Sequence, residues 1–273
     1  MTPRLRGALR KVVPAPIRTA LRRAGGRPRA ATAGGKTQAS FRKLIAPFTP
    51  EDHSRQVHAT YYLDLLMEQE PRPRVVMDLG CGSGDSVDLF RAHDPAVDWV
   101  GVDIAASPEV LARQRSDARF VTYDGETLPF GDAMFDLIYS RQVLEHVRHP
   151  AVHLAEVCRV LKPGGAFIGS TSQLEPYHSR SLWNYTLFGF SELVAEAGLR
   201  LVELRPGIDG VTLTMRAHFE RPKGFAHWFG EESPLNALIE ETGREAGHSA
   251  AQINLRKLHV AGQFAFLVRR PAR

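Results

Sequence analysis

Between positions 74 and 268, short continuous apolar runs alternate with segments in which apolar residues recur every three to four positions. A continuous apolar run is typical of a buried parallel strand, and the wider spacing is typical of an amphipathic helix. The runs predict strands at 74–79, 98–102, 119–122, 135–140, 166–171 and 199–204. The spaced segments predict helices at 85–92, 108–115, 150–160 and 191–197. This alternation predicts an α/β fold, a doubly wound parallel sheet with right-handed crossovers.

Two segments flank this alternation. Tyr61, Tyr62, Leu65 and Leu66 would form the apolar face of a helix predicted over residues 51–67. Residues 263–268 predict the last strand, and the connection before it, residues 205–262, is far longer than a hairpin loop. Connections of that length usually carry structure or function of their own. We expect this insertion to build part of a substrate pocket or an oligomer contact.

A glycine-rich turn follows the first predicted strand. Gly80, Gly82 and Gly84 form a G-x-G-x-G pattern, which differs from the G-x-G-x-x-G of dinucleotide sites. Such glycines let a ligand approach the backbone closely. The acid before them, Asp78, would repel a pyrophosphate and suits a cationic ligand. Asp103 ends the next strand, where it can accept hydrogen bonds from a ribose. A purely structural turn is the alternative, but the ordered acids and glycines favour S-adenosylmethionine, which is cationic and carries no phosphate.

With these motifs the chain resembles the class I S-adenosylmethionine-dependent methyltransferases, and most of all their ubiquinone/menaquinone-type small-molecule branch. The likeness runs from about Val75 to Thr171, in the segments MDLGCGSG, WVGVDIA, YDGETLPFGDAMFDLIYS, QVLEHV and EVCRVLKPGGAFIGS. The resemblance implies a Rossmann-like seven-stranded sheet whose last strand is antiparallel. It also implies a cofactor site for S-adenosyl-L-methionine at Asp78, Gly80, Cys81, Gly82, Gly84, Asp103, Ile104, Asp124, Gly125, Glu126, Ser140 and Gln142.

The resemblance also divides this site into parts. Asp78 and the glycines would hold the methionine end of the cofactor, and Asp103 would bind the ribose hydroxyls. Asp124, with the backbone that follows it, would read the adenine. Ser140 and Gln142 would lie beside the reacting methyl group.

Two histidines are candidate general bases, His146 and His178. Methyl transfer chiefly requires alignment of the acceptor and exclusion of water, and an alcohol acceptor also benefits from a base. Each histidine follows a predicted strand at the sheet edge where the active site should lie. A packing role is the alternative, and it carries equal weight for His146.

The segment after the fifth strand, residues 173–185, mixes aromatic and hydrogen-bonding side chains. Aromatic faces beside polar groups suit a sugar or another polyhydroxylated acceptor. The alternative is a packed loop that anchors the next helix. Together with the predicted helix before the first strand, the segment supplies the candidate substrate residues Tyr62, Tyr177, Arg180, Trp183, Asn184 and Tyr185.

Metal and disulfide chemistry find little support in the sequence. The eleven histidines are scattered and no C-x-x-C pair occurs, so no metal site is predicted. The two cysteines do not make a disulfide framework, and a cytoplasmic location is the default expectation.

The positive charge is concentrated at the N-terminus. The first 50 residues contain 12 Lys and Arg and no acid, which leaves 23 basic against 30 acidic residues in the rest. We therefore divide the chain into a basic, flexible extension at 1–45 and a methyltransferase domain at 46–273. The extension is either a solvated tail or a basic amphipathic helix that contacts an anionic membrane.

The preferred function is O-methylation of a hydroxyl on a small molecule or glycan. The alternatives are N- or C-methylation of an aromatic or lipid-like acceptor, and a non-catalytic binding protein with this fold. Specific nucleic-acid binding is disfavoured because the body is acidic and Ser140-Arg141-Gln142-Val143 stands where an N-P-P-Y-like tetrapeptide would follow the fourth strand. The oligomeric state is not predicted.

Overall fold

The computed structural model of the protein describes residues 34–272, so most of the basic extension lies outside the described residues. Its strands are β1 Val75–Leu79, β2 Asp98–Ile104, β3 Arg119–Tyr123, β4 Phe135–Arg141, β5 Leu161–Ser172, β6 Arg200–Pro206 and β7 Gln263–Arg269. Its α-helices are α1 Gly34–Ile45, α2 Tyr61–Met67, α3 Ser86–His93, α4 Pro108–Leu111, α5 Pro150–Val160, α6 Leu187–Glu196, α7 Gly210–His218, α8 Pro234–Glu245 and α9 Ala250–Leu258. Within this part of the chain, no helix is long and apolar enough to cross a bilayer.

All seven strands form one sheet in the order β3-β2-β1-β4-β5-β7-β6. The pairs among β1 to β5 are parallel. β7 is antiparallel, because its end pairs with the beginning of β5: Arg270 N donates to Gly165 O, and Gly164 N donates to Arg270 O, each at 3.0 Å. The predicted doubly wound, Rossmann-like sheet with an antiparallel last strand is therefore confirmed.

The described residues divide into two compact units. We call residues 58–173, 177–204 and 264–272 the sheet unit, and residues 34–57, 174–176 and 205–263 the helical unit. Aromatic rings fill the core of the sheet unit beside the antiparallel strand. Phe190 packs on Phe264 and Phe266, with ring centroids 5.3 and 5.0 Å apart, and Phe167 packs on Phe266 at 4.9 Å.

The helical unit contains the long insertion, which carries the helices α7, α8 and α9. A short antiparallel ladder closes its base, since Gly207 N donates to Gln263 O at 2.9 Å and Gly262 N donates to Ile208 O at 2.8 Å. α7 begins at a buried cap, where Asp209 Oδ1 accepts the amide hydrogen of Thr212 at 2.7 Å. The expectation that the insertion has its own structure is confirmed, and its role stays a prediction.

The helix predicted over 51–67 is wrong in its first ten residues, because only α2 is α-helical. Residues 52–56 instead place polar side chains against the insertion of the helical unit. Asp52 accepts two hydrogen bonds from the Arg205 guanidinium at 2.8 and 2.9 Å, and Ser54 Oγ donates to Glu240 at 2.7 Å. Gln56 Nε2 donates to Trp228 O at 2.7 Å. These contacts outweigh the local helical preference.

Three other helices also differ from what the sequence predicts. α6 begins at Leu187, earlier than the predicted 191, because the Thr186 side chain caps it by accepting the amide hydrogen of Gly189. α4 is a single turn that ends at Leu111, although the spacing predicted a helix over 108–115. α1 lies inside the predicted flexible extension, and its last residue, Ile45, is buried.

Candidate cofactor and active site

The glycine turn connects β1 to α3 in a backbone shape that other residues rarely adopt. Gly80, Gly82 and Gly84 have φ angles of +78°, +50° and +85°. A Cβ at Gly80 would lie 2.2 Å from the Val143 side chain, and one at Gly84 would lie 2.7 Å from the Phe120 ring. The turn therefore brings bare backbone close to the loop that follows β4.

Asp78 lies beneath this turn, in the centre of the parallel sheet. Its neighbours in register are Gly101 of β2 and Tyr139 of β4. The carboxylate is 4% exposed and accepts a hydrogen bond from Ser86 Oγ, which itself accepts one from Trp99 Nε1 at 3.1 Å. Burial raises the pKa of Asp78 to about 7. A cationic group beside this carboxylate would stabilise its ionised form.

Asp103, at the end of β2, holds the turn from the other side. Its Oδ2 accepts the amide hydrogen of Gly82 at 2.8 Å, and its Oδ1 accepts that of Ile104 at 2.7 Å. Each carboxylate oxygen has a second lone pair, so both keep capacity for a further donor such as a hydroxyl. The Ile104 side chain is 42% exposed and offers an apolar face beside this acid.

The motifs did not single out Arg113, which clamps the same turn. Its guanidinium donates from Nε and Nη2 to Gly82 O at 2.8 and 2.6 Å, and it lies 3.9 Å above the Phe120 ring centroid. Cys81, between the glycines, is buried, and burial raises the pKa of its thiol to about 12. Cys81 is therefore a neutral packing residue of the turn rather than a reactive thiol.

A second turn follows β3. The Asp124 side chain accepts the amide hydrogens of Glu126 and Thr127 at 2.8 and 2.7 Å, and these bonds lower its pKa. Gly125 has a φ of +92°, and Glu126 is exposed with its carboxylate 2.6 Å from His149 Nδ1. The turn thus exposes an ionised carboxylate, that of Asp124, together with the backbone around Gly125.

The end of β4 carries two of the predicted cofactor residues. Ser140 is 1% exposed, and its hydroxyl has no hydrogen-bond partner among the described residues. Gln142 has a φ of +55°, a strained value for this residue. Its side chain donates to Ser170 Oγ at 3.1 Å and accepts from Ser172 Oγ at 3.4 Å, which links the ends of β4 and β5.

Both predicted bases lie together at this edge, beside an acid that the sequence did not single out. Glu145 is fully buried; Thr171 Oγ1 donates to its Oε2 at 2.9 Å and Ser172 Oγ to its Oε1 at 3.3 Å. His178 Nε2 lies 3.7 Å from Glu145 Oε1. The rings of His146 and His178 meet edge to face, with centroids 5.4 Å apart. The only sequence signal for Glu145 is its place directly before His146.

The predicted substrate residues fall into two sets. Tyr177 is 72% and Trp183 46% exposed, and Arg180 and Asn184 are exposed as well. Trp183 is anchored by Nε1, which donates to Val147 O at 2.7 Å. These four side chains stay candidates for contact with a substrate.

Tyr62 and Tyr185 are instead packed inside the sheet unit, and their roles as substrate residues stay predictions. Tyr62 has no exposed surface, and its hydroxyl donates to Glu203 Oε1 at 3.0 Å. Tyr185 is 7% exposed and donates to Leu144 O at 2.8 Å. Their hydroxyls find partners inside the sheet unit, so both rings serve as core.

Comparison with known proteins agrees with this geometry. Residues 77–169, from β1 to the middle of β5, match the family model described as a methyltransferase domain. A solved chain from the complex between the Haloferax volcanii Trm112 methyltransferase activator and a methyltransferase shares the fold. Its TM-score is 0.51 at 20% identity, over 87% of this chain and 96% of that one.

Curated relatives match about half of this chain over part of their own length. A probable S-adenosylmethionine-dependent methyltransferase of Mycolicibacterium smegmatis is 34% identical over 47% of this chain and 52% of its own length. The malonyl-[acyl-carrier protein] O-methyltransferase of Methylococcus capsulatus is 31% identical over 52% of this chain and 53% of its own length. The chain thus spans about half the length of these relatives. Both relatives are named as methyltransferases, and the Mycolicibacterium smegmatis protein is named as S-adenosylmethionine-dependent.

The residues of the glycine turn fit S-adenosylmethionine as a cofactor. Gly80 leaves a backbone cradle that a Cβ would fill, and the buried Asp78 carboxylate calls for a cationic partner. The amino group at the methionine end would supply that charge. Asp103 and Asp124 have carboxylate oxygens left to accept from the ribose and the adenine. These roles stay predictions for the individual residues.

The raised pKa of Asp78 predicts how stability depends on pH without cofactor. The unfolded carboxyl loses its proton near pH 4, whereas the folded one keeps it up to about pH 7. The folded state therefore holds the extra proton in this window, and its stability falls as the pH rises. Asp78→Asn removes the titrating carboxyl and therefore its pH-dependent contribution to stability. Urea unfolding of both proteins from pH 4 to pH 8 should show the wild type losing about 4 kcal/mol at most relative to the variant. Parallel profiles would contradict the raised pKa.

Proposed function

We propose that the protein is an S-adenosylmethionine-dependent methyltransferase that methylates a hydroxyl group of a small molecule or glycan. The observation that carries this proposal is the cluster of Glu145, His146 and His178 at the carboxyl ends of β4 and β5. The cluster follows Val143, which contacts the glycine turn, so it lies on the side towards which the transferred methyl would point. An alcohol acceptor needs such a group because its proton must leave as the new bond forms.

The bound cofactor would supply an activated methyl group, so the protein mainly aligns the acceptor and excludes water. The proposed division of roles places the methionine end at Asp78 and the glycines, the ribose at Asp103 and the adenine at Asp124. His178 would take the acceptor proton at Nε2, held in orientation by the Glu145 carboxylate 3.7 Å away. His146 would hold the His178 ring from the side.

Exposed side chains after β5 support a hydroxylated acceptor. Tyr177 and Trp183 present aromatic faces, and Arg180 and Asn184 lie next to them in the chain with free access to solvent. Aromatic surfaces beside hydrogen-bonding groups are well suited to a sugar or polyol. The name of the Methylococcus capsulatus relative, an O-methyltransferase, supports oxygen as the acceptor atom.

A lipid-like or aromatic acceptor, methylated on nitrogen or carbon, is the second candidate. Leu182 and Phe188 are 48% and 47% exposed and lie close in sequence to the polar aromatic residues. Exposed apolar side chains of this size favour an apolar ligand. The proposed membership of the ubiquinone/menaquinone-type branch fits this second candidate. The likeness of the sequence motifs supports that membership.

An acceptor panel tests the proposed function. Purified protein with methyl-labelled cofactor should label glycans or polyols in preference to quinones, phenols and amines. Mass spectrometry of the product should place the methyl group on oxygen. Labelling of nitrogen or carbon would instead select the second candidate. Cofactor binding in calorimetry with no labelling of any acceptor would support a non-catalytic binding protein.

A further inference from the structure

The cluster of Glu145, His146 and His178 has the composition of a metal site. One ligand atom from each residue lies within 4.8 Å of the other two. Two imidazoles and a carboxylate are a donor set that proteins use for divalent transition metals. The three residues come from two loops at one edge of the sheet unit, so the fold, not local sequence, assembles them.

The residues around the cluster resemble those that hold the ligands of a metal site in place. Glu145 is fully buried, and the hydroxyls of Thr171 and Ser172 fix its carboxylate by hydrogen bonds at 2.9 and 3.3 Å. Outer groups that hold a ligating carboxylate in this way are a regular part of metal sites. His146 Nδ1 is buried and has no hydrogen-bond partner among the described residues. A buried nitrogen without a partner is costly, and a bound cation would satisfy it.

Other histidine pairs in the described part of the chain lack this arrangement. His149 and His153 stand at an H-x-x-x-H spacing, but His149 is exposed beside Glu126 while His153 is buried inside α5. Burial lowers the pKa of His153 to about 4. His93 meets Asp64 at 3.1 Å as an isolated pair in which the Asp64 carboxylate is half exposed. Neither group offers three converging donors.

We propose that Glu145, His146 and His178 bind one divalent transition-metal cation, with Mn²⁺ or Zn²⁺ as the probes, and that this cation positions the acceptor hydroxyl. The proposal rests on the proposed hydroxyl methylation and deepens it. Metal–ligand bonds of about 2.1 Å place neighbouring donors about 3.4 Å apart, so the three side chains would close inwards around the ion. Three protein ligands leave coordination positions open for an oxygen of the acceptor.

The chemistry balances without any redox step. The cation lowers the pKa of a bound hydroxyl, whose proton passes to water. The acceptor oxygen then forms its bond to the methyl carbon as the bond between that carbon and sulfur breaks. The products are a methyl ether, a neutral thioether and one proton. In this scheme the two imidazoles act as ligands and not as the proton acceptor.

Direct metal binding tests the inference without any turnover. Full-length protein is stripped with chelator, dialysed and titrated with Mn²⁺ by electron paramagnetic resonance and with Zn²⁺ by calorimetry. We expect one site per chain, and a loss of affinity of about tenfold or more in His146→Ala, His178→Ala and Glu145→Gln. His93→Ala removes an imidazole from another acid–histidine pair, His93 with Asp64, and should bind metal like the wild type. Cofactor binding by each variant checks that it has folded.

The outcomes separate this inference from the proposed function. Absence of a site in the wild type, or equal affinity in folded cluster variants and the His93→Ala control, overturns the metal proposal. Hydroxyl methylation that continues at full rate in chelator also overturns it while the proposed function stands. A site that binds metal and disappears in the cluster variants supports the metal site itself. If the acceptor panel then shows methylation on nitrogen or carbon, the hydroxyl proposal fails together with the cation's role in positioning a hydroxyl, while the metal site stands.

Discussion

Asp103→Ala will weaken the binding of S-adenosylmethionine about 100-fold, measured by calorimetry at neutral pH. The carboxylate is proposed to accept hydrogen bonds from the ribose, and a hydrogen bond to a charged group is worth roughly 1.5–3 kcal/mol. The same carboxylate accepts the amide hydrogen of Gly82 at 2.8 Å. Its removal therefore also releases the turn that must cradle the methionine end.

Asp117→Ala is the matched control for this prediction. Asp117 is an exposed acid of the sheet unit whose carboxylate lies 2.6 Å from Arg91 and 3.6 Å from Arg115. Its loss should leave the affinity within twofold of the wild type, since exposed ion pairs contribute little. Unchanged affinity in folded Asp103→Ala would remove Asp103 from the cofactor site and leave it a structural role in the turn.

His178→Ala will lower the turnover number about 100-fold or more at neutral pH, with cofactor affinity unchanged. The side chain is proposed to act on the acceptor hydroxyl, either by taking its proton or by holding a cation that lowers its pKa. Both roles require an imidazole next to Glu145, so both predict the same direction of change. Steady-state kinetics with the acceptor found in the panel, together with cofactor calorimetry, provides the measurement.

Comparison with His146→Ala and added metal separates the two roles. If His178 is the base, His146→Ala should reduce turnover less, because His146 only supports the ring of His178. If both are ligands, the two variants should lose similar activity and regain part of it at high Mn²⁺. Near-normal turnover in both variants would leave alignment alone as the source of catalysis.

The alternation of strands and helices could be read from the sequence because it is local information. Strands β1, β2, β4 and β5 each contain a short buried apolar run, and burial on both faces of a parallel sheet demands such a run. The glycine turn could also be predicted from the sequence. Its positive φ angles and the close approach of Val143 admit only glycine at Gly80. The two acids that flank this turn, Asp78 and Asp103, follow from the same pattern.

Only the tertiary structure decided which polar and aromatic residues are exposed and which are buried. The helix predicted over 51–67 does not include residues 51–60, because Asp52, Ser54 and Gln56 are held by Arg205, Glu240 and Trp228, which are distant in sequence. Tyr62 and Tyr185 resemble ligand-binding residues in composition. Their hydroxyls nevertheless bond to Glu203 and Leu144 inside the core, and a partner of that kind is known only once the chain is folded.

The candidate site divides in the same way. The sequence by itself determined the cofactor turn and named His146 and His178 as separate candidates. Only the fold decided that they meet each other and a buried Glu145, because parallel pairing of β4 with β5 brings the loops after both strands to one edge. Chemistry carried by one turn is local in sequence, whereas chemistry shared between two loops depends on which strands are neighbours.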